Sequence, residues 1–140
     1  MPIKNYPFLR AGDIFRPYLP IQIINPETNK SFKTYGLIDT GADECAVPAN
    51  IAGIVGHNLQ AGSTKQIGTG NGTTAAYSHT TKIDIFHIND SSQRVYSIDN
   101  TPVDFMPNLH CVLLGVKNFL SQFKLAINYP KQTFSITYPD

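Results

Sequence analysis

Gly36-Leu37-Ile38-Asp39-Thr40-Gly41-Ala42-Asp43 is the stretch on which the reading of this chain turns. An apolar run leads into Asp39, and small and polar residues follow. Taken alone, Asp-Thr-Gly describes a turn at a strand end, where Asp and Gly are favoured anyway. A second apolar run, Val112-Leu113-Leu114-Gly115, lies far downstream and also stops at a glycine.

The surroundings fit a mainly β chain. At 140 residues the sequence suits one domain, spanning 1–140, with enough length to bury a core. Hydrophobic residues make up 41%, charged residues only 15%, and the net charge is +1, so nothing draws the chain to nucleic acid or an anionic membrane. No stretch is apolar enough to span a bilayer, and the first residues lack the apolar core of a signal peptide. The expected compartment is therefore cytoplasmic, and two cysteines, Cys45 and Cys111, suit free thiols there.

Ten glycines and ten prolines punctuate short β-rich runs, with no long 3.6-residue apolar period. The second half of Arg16-Pro17-Tyr18-Leu19-Pro20-Ile21-Gln22-Ile23-Ile24 reads as a strand, with Pro17 and Pro20 suiting an edge or a strand start. Asn25-Pro26-Glu27-Thr28-Asn29-Lys30 is turn chemistry, and the return from Ser31 delivers Asp39 at a strand end. A short helix is expected within 47–52. Thr73 to Ile88 reads as a long strand or two, and Lys82-Ile83-Asp84-Ile85 alternates as a half-buried strand does. Asp90-Ser91-Ser92-Gln93 predicts a turn and 94–98 a strand. A second short helix is expected over 116–122, then strands over 124–128 and 133–138.

These motifs together resemble the retropepsin-like aspartic proteases. The resemblance rests on Leu37-Ile38-Asp39-Thr40-Gly41-Ala42, on the downstream Leu113-Leu114-Gly115, and on the Gly-rich run between them. Phe119-Leu120-Ser121-Gln122-Phe123-Lys124-Leu125-Ala126-Ile127-Asn128-Tyr129-Pro130 is similar to the closing segment of bacterial single-domain members. It implies a closed acid-protease barrel with a flap hairpin and one short C-terminal helix. It also implies a homodimer, because the chain carries one Asp-Thr-Gly and the chemistry needs two carboxylates. Two close carboxyls cannot both ionise, so they share one proton and can activate water and assist the substrate carbonyl together.

By the same resemblance Asp39 is the catalytic acid. The Thr40 hydroxyl reaches the partner's loop, and Gly41 lets the backbone pass close to a peptide. Ala42 and Asp43 would contact substrate, Asp43 through the peptide backbone, although a carboxylate there also caps loops. Glu44 would reach the same subsites. In Lys65-Gln66-Ile67-Gly68-Thr69-Gly70-Asn71-Gly72-Thr73 the alternate glycines suit a bendable hairpin. Ile67, Gly68, Thr69 and Gly70 are its expected substrate-facing residues, and Leu113 is expected to line a pocket. A phosphate-cradling loop is the rival, but the spacing does not fit G-x-G-x-x-G before a helix, and no P-loop Lys-Ser/Thr follows.

The remaining candidates are quieter. His57, His79, His87 and His110 show no metal-ligand spacing, and no metal or cofactor is expected. Neither cysteine carries a cysteine-protease signature. The chain departs from the family in two places. The segment from Gly115 to Phe119-Leu120 is one residue longer, with Asn118 where an acid is common, and Asn128 stands where relatives often have Asp. Residues 1–15 form an N-terminal extension, and the alternation Phe134, Ile136, Tyr138 suits a tail that contributes to the dimer. The chain reads as free-standing because it begins at Met1. The expected partners are a second copy and a peptide or protein substrate. The alternative is a non-catalytic or partner-activated peptide-binding module of the same fold.

Overall fold

The computed structural model describes residues 2–69 and 72–138. In chain order the strands are β1 (Pro2–Pro7), β2 (Leu9–Ala11), β3 (Ile14–Arg16), β4 (Tyr18–Ile24), β5 (Ser31–Ile38) and β6 (Ala46–Pro48). The helix α1 (Ala49–Ile54) follows, then β7 (Ser63–Thr69), β8 (Gly72–His87), β9 (Asp90–Met106), β10 (Val112–Leu114), β11 (Lys124–Asn128) and β12 (Thr133–Thr137).

Six strands close on themselves in the order β4-β5-β10-β6-β9-β8, because β8 also pairs with β4, and β7 hangs on β8 outside the ring. Pro20 survives inside β4 because the pairs that close the ring stop short of it. It pairs with Tyr35 on one side only, since the β8 partner begins at Ile21↔Ile85, so its missing N–H falls where β4 has one neighbour. The barrel is filled by alternate residues: Leu19, Ile21 and Ile23 from β4, Ile83 and Ile85 from β8, Val103 and Phe105 from β9. The period of two expected at 82–85 holds for the isoleucines. Asp84, however, is also buried, and Ser97, its pairing partner on β9, donates its hydroxyl to the carboxylate.

A second sheet, ordered β1-β12-β11, packs Ile3, Phe134 and Ile136 into the same core. The stretch 1–15 thus supplies a strand and the buried Ile3, Tyr6 and Phe8. The tail strand β12 has both edges paired inside the chain, so a second copy cannot add a strand to it without displacing β1 or β11. Residues β2 and β3 form an exposed ribbon carrying Ile14 and Phe15.

The helix expected within 47–52 is α1. The one expected over 116–122 shrinks to a single 3-10 turn, Leu120–Gln122. Asn118 sits at φ 63°, a left-handed residue that an α-helix cannot contain, and it occupies the segment that is one residue longer. The turn expected at 90–93 lies instead at Ile88 and Asn89, and β9 runs on to Met106.

Candidate active site

The loop that carries Asp39 is held between two strand ends. Strands β5 and β10 run parallel, pairing Leu37 with Leu113 and Ile38 with Leu114, and β10 pairs with β6 on its other side through Leu113 and Ala46. The Asp39 N–H donates to the Leu114 carbonyl at 3.1 Å, which continues the parallel ladder to the acid itself. The loop then turns sharply: Gly41 N–H donates to Asp39 Oδ1 at 3.1 Å and Ala42 N–H to the Asp39 carbonyl at 3.2 Å. Asp39 is half-buried, and Thr40 and Gly41 are exposed.

The chain after Leu114 locks this loop from below. Val116 N–H donates to the Ala42 carbonyl at 2.9 Å and Lys117 N–H to the Asp43 carbonyl at 2.7 Å. Gly115 lies so close that a Cβ there would meet the Glu44 carbonyl oxygen at 2.4 Å. At Gly41 an added Cβ would meet only Asp39 Oδ1, at 3.4 Å, an ordinary contact. This chain therefore requires a glycine at 115 for its own packing, whereas the bareness of Gly41 faces outward.

A cleft of about 560 Å³ opens beside the loop. Gly41, Ala42, Asp43 and Glu44 form one wall, and the β7 arm faces them with Lys65, Gln66, Ile67 and Gly68. Leu113 and Met106 supply apolar surface. Of the two leucines of β10, Leu113 turns to the cleft and Leu114 is fully buried. Thr69 continues the β7 arm and pairs with Gly72, while Gly70 lies outside the described residues.

One feature of the cleft was not legible in the sequence. Lys65 Nζ lies 3.1 Å from Asp104 Oδ2 and also bonds Glu44 Oε2. The Glu44 bond pulls the carboxyl below its ordinary range and raises the Lys65 ammonium, while burial pushes Asp104 up. Asp104 sits between Val103 and Phe105, and one acid between two apolar residues reads as the wet face of a strand. Nothing local signals that both faces of β9 are covered here.

The cysteines and histidines stand outside the lining of this cleft. Cys45 is buried, and desolvation pushes its thiol up to about 11. Cys111 is half-buried and raised by burial, with Arg16 and Asp39 both close enough to act on it. His57 and His79 stack at 4.5 Å beside Phe105, bordering a separate polar hollow. His87 packs edge-on against Tyr6, and His110 is exposed. Among the described residues no group of three or more His, Cys, Asp or Glu is placed to hold a metal ion. No helix among them is long and apolar enough to cross a membrane. Asn128, which stands where relatives often have Asp, accepts from Lys131 N–H at 3.1 Å and so shapes the β11–β12 turn without charge.

A closed six-stranded barrel, an outer hairpin and an Asp-Thr-Gly loop at a parallel strand end make this a retropepsin-like fold. A solved structure of a retropepsin-like aspartic protease from Rickettsia conorii superposes with a TM-score of 0.63 at 22% identity, covering 91% of this chain and 94% of that one. No protein-family model matches the chain, and no curated protein matches its sequence.

Proposed function

We propose that this chain is an aspartic endopeptidase that works as a homodimer. The observation that carries the reading is the Asp39 loop itself: Asp39 stands at the end of paired β5 and β10, and the residues that follow it, Gly41 to Glu44, wall a cleft faced by a hairpin arm. One chain supplies one such carboxylate, and amide hydrolysis by this route needs two.

In the dimer the two Asp39 carboxyls meet across the two-fold axis and share a proton, since adjacent like charges cannot both ionise. The ionised carboxyl takes a proton from the attacking water. The protonated one hydrogen-bonds the scissile carbonyl and stabilises the oxygen as it gains charge, and a proton then passes to the leaving nitrogen. Thr40 braces the partner's loop, and the exposed Gly41 and Ala42 let the peptide backbone approach. Asp43 bonds that backbone. Strands β7 and β8 act as the flap, placing Ile67, Gly68, Thr69 and Gly70 over the substrate and excluding water. Leu113 lines an apolar side-chain pocket.

Sedimentation paired with a peptide-library digest of wild type and Asp39→Asn tests this. A dimer that cleaves, and an Asp39→Asn dimer that does not, is the expected result. A protein that stays monomeric and cleaves nothing would move the assignment to a peptide-binding module or a partner-activated enzyme.

A further inference from the structure

The geometry points to Lys65 as a positioning residue that fixes the height of the flap arm over the cleft. The inference deepens the protease reading and rests on it for its kinetic consequence, though not for its structural one.

Strand β7 is the only strand of the large sheet's described pairing that lies outside the closed ring at its β8 end, and it bonds to β8 alone. An arm attached along one edge is free to tilt unless something else ties it. Lys65 is that tie. It stands on β7 opposite the fully buried Ala76 of β8, and its side chain crosses the cleft mouth to two carboxylates on two other elements. Glu44 belongs to the loop that begins at Asp39. Asp104 belongs to β9, in the barrel wall, where its N–H donates to the Cys45 carbonyl at 2.9 Å. One ammonium therefore joins the flap arm, the catalytic loop and the barrel.

An exposed ion pair would be worth little in this role. Here the Asp104 side chain is only 5% exposed, against 42% for Lys65. Withdrawing the cation leaves a buried carboxylate beside a second one, which is the expensive case. The arm is held because tilting it away would strand Asp104. The bond to Glu44 raises the Lys65 pKa, which favours the charged ammonium that the tie requires. A second lysine offers a contrast: Lys82 lies 4.0 Å from an Asp99 that is 71% exposed, so its loss strands nothing.

Two readouts test the inference, with Lys65→Met, Lys65→Arg and the control Lys82→Met. The first is amide hydrogen exchange of the free protein. Lys65→Met should speed exchange at 66–69 and 72–75 by about tenfold, with β4 and β5 unchanged, Lys65→Arg close to wild type, and Lys82→Met silent. The second is steady-state cleavage. Lys65→Met should raise KM by about tenfold with kcat changed far less, because a loosened arm costs ground-state and transition-state binding alike. Unchanged exchange and unchanged KM in Lys65→Met would overturn the inference, as would an equal effect from Lys82→Met or no rescue by arginine. If wild type cleaves no peptide, the protease reading fails while the exchange data still decide whether Lys65 holds the arm.

Discussion

Gly115→Ala puts the close approach beneath the catalytic loop to a direct test. The new Cβ would stand 2.4 Å from the Glu44 carbonyl oxygen, 2.5 Å from its carbon and 2.8 Å from the Ala42 oxygen, where ordinary contact begins near 3.4 Å. All three atoms are backbone, so no side chain can rotate away, and the loop must retreat by about 1 Å (3.4 minus 2.4). That retreat stretches the bonds from Val116 N–H to Ala42 and from Lys117 N–H to Asp43. Two hydrogen bonds at about 1 kcal/mol each and an overpacking cost of about 1–3 kcal/mol give a loss of roughly 3–5 kcal/mol. At about 3 °C per kcal/mol for a chain of this size, Tm should fall by roughly 10–15 °C. Urea denaturation and a thermal scan followed by circular dichroism read this directly, and cleavage by the surviving folded protein should be strongly reduced because residues 42–44 have moved. Gly36→Ala is the comparison: its Cβ meets Leu114 side-chain atoms at 2.7 Å, which can partly adjust, so its loss should be nearer 1–3 kcal/mol. A Gly115→Ala protein within about 0.5 kcal/mol of wild type and fully active would refute the argument.

Asp39→Asn should unfold within about 0.5 kcal/mol of wild type in urea, because an amide oxygen can still accept from Gly41 N–H, so a loss of cleavage would be chemical. Gly68→Ala should leave Tm unchanged, since nothing lies within 4 Å of an added Cβ, yet cleavage should drop severalfold if a peptide backbone passes there. Cys45 should resist alkylation at pH 8 until the protein unfolds, its thiol being pushed up to about 11 by burial, while the half-buried Cys111 reacts slowly in the native state. Burial and the neighbouring His79 hold His57 below its ordinary value of 6.5, and its Nε2 is buried without a partner. The neutral ring therefore contributes stability above about pH 6.5 that is lost as pH falls through the lower folded value. His57→Phe should flatten the decline in stability between about pH 7 and pH 5, and an unaltered slope would show that another group causes it.

Particular elements show how far the residues could be read in order. The β4–β5 hairpin was legible because Asn25 to Lys30 is dense in turn chemistry and the flanking runs alternate. Asn25 itself is buried, with its Oδ1 accepting from Glu27 N–H at 3.0 Å. The second helix was not legible, because Phe119, Leu120 and Phe123 have apolar spacing that a helix and a buried turn share. A left-handed Asn118 decides between them. Alternation along the tail shows only which face of the strand is apolar. It says nothing about what pairs with the edges, and β1 and β11 take both.

The sequence by itself determined the mainly β character, the Asp39 loop at a strand end and the apolar run that stops at Gly115. Each of these depends on neighbours within a few residues, where backbone preference and side-chain period act directly. Only the tertiary structure decided which strands close the barrel and in what order, the burial of Asp84 and Asp104, the steric need for glycine at 115 and the tie from Lys65 to two other elements. Those depend on contacts between residues tens of positions apart. Burial and charge pairing are properties of the assembled surface, and no period along the chain encodes them.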